Sequence, residues 1–66
     1  MRLIVNGEPR ELSEGATVSG LLAALELDGR RIGVELNREI VPKSRYEATR
    51  LSDGDAVEIV HFVGGG

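Results

Sequence analysis

The chain has 66 residues, with eleven acids against eight Lys and Arg and a formal net charge of -3, which allows one domain and no more. It holds no cysteine, so neither a disulfide nor a thiolate zinc site reinforces a fold of a size that buries only about 60% of its unfolded surface. The acidic balance and an aromatic pair limited to Tyr46 and Phe62 argue against nucleic acid, whose binders need a clustered basic face and stacking platforms.

Met1 to Val5 is a β-branched, apolar opening strand, and Asn6-Gly7 behind it fits a two-residue hairpin turn in which both residues take positive φ. Glu8 to Leu12 returns as the second strand, and Pro9, lacking an N–H, places that strand at a sheet edge. Thr17 is the expected cap of a helix whose apolar face is Val18, Leu21, Leu22 and Leu25, at i, i+3, i+4 and i+7. Gly20 is expected to let this helix approach the sheet, and Asp28-Gly29 to end it with Gly29 as a left-handed cap.

Alternation of Ile32, Val34 and Leu36 gives a third strand, and Asn37-Arg38-Glu39 turns into Ile40-Val41-Pro42. Lys43 to Tyr46 is expected to form a single helical turn and Glu47 to Leu51 a short fourth strand. Ser52-Asp53-Gly54-Asp55 is a tight turn, and Ala56 to Val63 is the last strand. A hairpin, one helix, then further strands give an α+β fold with a mixed sheet of four to five strands and one main helix on one face. The crossover rule favours a strand after the helix running parallel to an earlier one. That is the β-grasp arrangement, in which the last strand lies beside the first. If Val57 and Ile59 meet the helix, Val60 and Phe62 lie on the open face, where exposed apolar residues mark a docking surface.

The side chains do not assemble an enzyme. His61, Tyr46 and Lys43 are each the only residue of their type, and a lone histidine on a terminal strand is first a packing or surface residue. Glu8, Glu11 and Glu14 belong to a hairpin rim and a solvated turn, and Asp53-Gly54-Asp55 has too few ligands for a calcium loop. No metal or cofactor is expected in the domain itself. A mildly acidic domain suits a partner with a basic docking surface. No apolar stretch nears the roughly 20 residues of a membrane span and no signal peptide is expected, so a cytoplasmic protein without membrane contact is the expectation.

What the sequence displays is its ending, Gly64-Gly65-Gly66, directly behind the apolar run of the last strand. A domain over residues 1–63 with a flexible glycine tail over residues 64–66 would hold a carboxylate at Gly66 on a thin stalk. Three extended residues reach at most about 10 Å, enough to enter a partner's narrow active site. That carboxylate is ionised near neutral pH and is a poor electrophile, but it can attack the α-phosphate of ATP and become an acyl-adenylate. The Mg-ATP would be held by another protein. A plain interaction module with an inert tail is the alternative from another class.

The segment Val34 to Pro42, the turn Asp53-Gly54-Asp55 and the ending Glu58 to Gly66 resemble the ThiS family, the ubiquitin-like β-grasp sulfur carriers of thiamine biosynthesis. The resemblance covers essentially the whole chain. It implies that Gly66 is adenylated by a ThiF-type adenylating enzyme and converted to a thiocarboxylate with sulfur from a sulfur-donating protein. Thiazole synthase then takes the sulfur to build the thiazole ring. The family's two functional glycines carry over onto Gly65 and Gly66, with Gly64 extending the tail by one. The small subunit of molybdopterin synthase resembles the chain in fold, in the Asp-Gly-Asp turn and in the Gly-Gly end. A protein modifier joined through Gly66 to lysines shares the same activation chemistry.

Overall fold

The computed structural model describes residues 1–62; residues 63–66, and with them the expected tail at Gly64, Gly65 and Gly66, lie outside the described residues. Five strands and one helix follow in the order β1 (Arg2–Val5), β2 (Glu8–Glu11), α1 (Val18–Ala24), β3 (Ile32–Leu36), β4 (Glu39–Val41) and β5 (Ala56–His61). Short 3-10 turns at Gly29–Arg31 and Lys43–Arg45 precede β3 and follow β4. The sheet order is β2-β1-β5-β3-β4. β1 and β5 run parallel, whereas β1–β2, β3–β5 and β3–β4 are antiparallel. The last strand therefore lies beside the first in the interior of the sheet, as the β-grasp expectation requires, and β3 runs parallel to β2. Pro9 sits on β2 at the sheet edge, where its missing N–H leaves no ladder bond unmade.

The alternation of the strands sets the core. Leu3 and Val5 of β1, Ile32 and Val34 of β3, and Val57 and Ile59 of β5 are buried against Val18, Leu21 and Leu22 of α1. Burying each such aliphatic side chain is worth about 1.5–3 kcal/mol, so a domain without disulfides leans on this single layer. Thr17 caps α1 as expected, its Oγ1 accepting from Gly20 N at 3.1 Å.

Three local expectations are corrected. The helix ends at Ala24, ahead of Gly29, and the left-handed residue is Glu26, with φ 57°. Glu26 N donates to Ala23 O and Leu27 N to Leu22 O, the paired bonds of a Schellman end, which return Leu27 to the core margin. Packing of the half-buried Leu27 against the core thus overrides the preference for glycine at that position. Gly29 instead opens the 3-10 turn capped by Asp28, whose Oδ1 accepts from Arg30 N at 2.9 Å.

Gly20 does not face the sheet. It is exposed, and a Cβ there would meet only Thr17 Oγ1 at 3.7 Å and Ala16 Cβ at 3.9 Å.

The fourth strand precedes the 3-10 turn at Lys43–Arg45 instead of following it. Asn37 and Arg38 take φ of 51° and 72°, a two-residue turn that sends Glu39–Val41 back along β3. Glu47 to Leu51 makes only an isolated bridge, between Arg50 and Thr17. Its backbone is committed to the start of the helix: Tyr46 O accepts from Ser19 N, Thr49 O from Val18 N, and Leu51 N donates to Ala16 O. Tyr46 and Leu51 close the core at that end.

Candidate docking face and tail exit

β5 is held along both edges, as far as Phe62 on the β3 side and Ile59 on the β1 side. On one side it pairs with β3 from Val57 to His61, and Phe62 N donates to Arg31 O at 2.9 Å. On the other side β1 pairs with it at Ile4 and Val5, Asn6 N donates to Val57 O at 2.9 Å, and the chain then turns away at Asn6 and Gly7 with φ of 50° and 82°. The Asn6 side chain continues the ladder from within that turn. Its Oδ1 accepts from Ile59 N at 2.7 Å and its Nδ2 donates to Ile59 O at 3.1 Å. An amide side chain has the donor and acceptor of a peptide group, so Asn6 stands in for the strand residue that β1 no longer supplies.

Asn37 also braces the start of β5 with its side chain. Its Oδ1 accepts from Ala56 N at 3.0 Å and its Nδ2 donates to Asp55 Oδ1 at 3.1 Å. The Asp-Gly-Asp turn is likewise spent on structure: Asp53 Oδ1 accepts from Arg2 N and Asp55 Oδ2 from Ser52 N. Gly54 holds φ 87°, which glycine adopts without penalty.

Val60 and Phe62 lie on the open face, with 49% and 59% of their surface exposed. The sheet brings Ile40 of β4 to the same face at 77% exposure, and Ile4 of β1 at 38%. Ile40 escaped the sequence reading because Glu39 to Val41 reads as the exit of a turn; the signal was the asparagine opening a two-residue turn behind β3. Phe62 is seated on Gly33. A Cβ at Gly33 would stand 3.1 Å from Phe62 Cζ, so the absence of a side chain there makes room for the ring.

His61 projects from the core side of β5 and lines a cleft of about 540 Å³ with Glu26, Leu27, Asp28, Arg30, Arg31 and Ile32. Tyr46 is buried, and burial raises its phenol pKa. Lys43 Nζ donates to Arg30 O at 2.6 Å. At the exposed Asp28–Arg30 pair, hydrogen bonds from Arg30 hold the carboxyl below its ordinary value. Among the described residues no group of three or more His, Asp or Glu is placed to hold a metal ion. No described helix is long and apolar enough to cross a membrane.

Comparison with known proteins places this architecture. Residues 3–66 match the model of the ThiS family. The chain belongs to the ThiS family. The sulfur carrier protein ThiS of Bacillus subtilis is 50% identical to this ThiS-family chain over 50 residues, covering 76% of each. A thiazole synthase of Paramagnetospirillum magneticum is 52% identical over all 66 residues, which make up 20% of that protein. The chain spans about a fifth of the length of the first curated relatives it matches, both thiazole synthases. The crystal structure of the thiamine biosynthesis protein ThiS from Geobacter metallireducens superposes with a TM-score of 0.85 at 42% identity, covering 100% of both chains. Of the two carrier families the chain resembles, the match is to the ThiS family. The ubiquitin-like β-grasp fold read from the order of elements is the fold of this family.

Proposed function

We propose that this chain carries sulfur for thiazole formation in thiamine biosynthesis and works through the backbone carboxyl of Gly66 instead of a side chain. The reading takes Gly66 as the residue whose carboxylate is free in the functional form. A ThiF-type adenylating enzyme binds Mg-ATP. A Gly66 carboxylate oxygen attacks the α-phosphorus, and the bond to pyrophosphate breaks. A hydrosulfide-level sulfur from a sulfur-donating protein then attacks the acyl carbon. It expels AMP, loses its proton and leaves a thiocarboxylate, whose sulfur passes to thiazole synthase. The protein is thus a co-substrate of its partners and not itself a catalyst, working in the cytoplasm.

The observation that carries this reading is the family match over residues 3–66, a stretch that takes in all three closing glycines. The anchoring of β5 supports it: Asn6 and β3 fix the strand to within a few residues of Gly64, so Gly64 and Gly65 serve as the thin connection a partner's active site admits. That a segment similar to this whole chain forms a fifth of a protein named thiazole synthase supports the choice of thiazole synthase as sulfur acceptor. Val60 and Phe62 serve as the docking face.

Mass spectrometry of the protein from growing cells tests the scheme. A fraction with oxygen replaced by sulfur at Gly66 is expected, and a variant ending at Gly64 is expected to stay folded but fail to restore thiamine-dependent growth. Restored growth with the shortened chain overturns the proposal. Conjugates of higher mass, without the sulfur form, would mark a protein modifier instead.

A further inference from the structure

The open face carries a pair that works against the fold. Glu35 of β3 and Glu58 of β5 stand directly opposite one another. Side chains so paired leave the same face with Cβ atoms about 5 Å apart, and like charges in that position destabilise a sheet. Their neighbours on the face offer no compensating cation. Ile40 pairs with Glu35 on the β4 side, and Gly33 and Val60 form the next row. Among the described residues neither carboxylate enters an ion pair. Among the described residues no cation offsets the pair, which lies beside the most exposed apolar side chains described, with Ile40 across from Glu35 and Val60 and Phe62 further along β5.

We propose that this face docks a protein partner through an arginine, whose guanidinium lies over the Glu35–Glu58 pair between Ile40 and the Val60–Phe62 wall. A planar guanidinium has donors along both edges and bonds two carboxylates at once, which a compact ammonium does less well. Its apolar stem packs along the flanking side chains, and these keep water from the charges. Charge complementarity fixes the occupant. A second copy would bring two further carboxylates onto the pair, and a phosphorylated ligand would be repelled by it. The inference rests on the carrier reading for the partner's identity, which is taken as the thiazole synthase of the same organism.

The test measures binding of the full chain to that synthase over a range of salt concentrations, for the wild type and for Glu35→Gln/Glu58→Gln, Val60→Ala and Phe62→Ala. Replacing both glutamates is expected to weaken binding about tenfold and flatten its salt dependence. The melting temperature should stay the same or rise, because the repulsion is gone. Val60→Ala and Phe62→Ala are expected to weaken binding with the salt dependence kept. If the double variant binds like the wild type while Phe62→Ala does not, the arginine contact is refuted and the carrier reading stands. Failure of the wild type to bind the synthase, with the thiocarboxylate form present in cells, also refutes the contact and leaves sulfur carriage intact. Self-association in sedimentation that Phe62→Ala abolishes would assign the face to a second copy and overturn the proposal.

Discussion

Replacing Asn6 with glycine isolates the clamp on the last strand. Glycine takes the left-handed backbone of residue 6 freely, so the turn survives and only the side-chain contacts are lost. Those contacts are the bonds to Ile59 N at 2.7 Å and Ile59 O at 3.1 Å, both partly buried. Each is worth about 1 kcal/mol net. Ile59 pairs with Val34 on its other side, but its N–H and C=O point toward β1, where Asn6 is their only partner among the described residues. Asn6→Gly is therefore expected to cost about 2 kcal/mol, with the added freedom of an unfolded glycine pushing the figure up by about 0.5–1 kcal/mol. In a domain of this size that lowers the melting temperature by about 15–20 °C. Asn6→Asp keeps the acceptor for Ile59 N and loses the donor to Ile59 O, so it should fall between the two, at about 1 kcal/mol. Urea unfolding gives the free energies, and hydrogen exchange at the Ile59 amide reports the clamp directly. A loss below about 0.5 kcal/mol for Asn6→Gly, within the range of an indifferent surface change, would refute the reasoning. So would unchanged protection of that amide.

Three further outcomes are expected. Glu26→Gly removes the penalty of a left-handed non-glycine residue at the helix end and should stabilise the domain by about 0.5–1 kcal/mol in the same urea titration. Gly33→Ala places a methyl 3.1 Å from Phe62 Cζ, so the Phe62 ring resonances should shift and synthase binding should weaken, while the melting temperature stays near wild type. Because burial raises the Tyr46 pKa, its neutral form is favoured in the folded state. Its contribution is whole below the unfolded phenol's pKa of about 10 and is lost as pH rises from there through the folded value. Stability measured across that alkaline range should fall more steeply for the wild type than for Tyr46→Phe.

Much of this protein is legible in its residues because strands and helices bury one face at a fixed period. Alternation in β3 and β5 fixed which side chains meet the helix and left Val60 and Phe62 outside. Asn6-Gly7 fixed the first hairpin, and Pro9 fixed its edge. The closing glycines and the motifs beside them pointed to the family without any coordinates. Tertiary structure alone decided where local preference and packing disagreed. The helix stopped at Ala24 because Leu27 had to reach the core, although Gly29 was the better cap. Glu47 to Leu51 gave up a strand because Thr49 O, like Tyr46 O before it, accepts from the first amides of α1, and Leu51 N donates to Ala16 O. No period in the sequence announces that the Asn6 side chain would reach from its turn to complete β5, or that Glu35 and Glu58 would face each other across two strands. Such pairings depend on sheet order and register, and register is set by the packing of the whole layer.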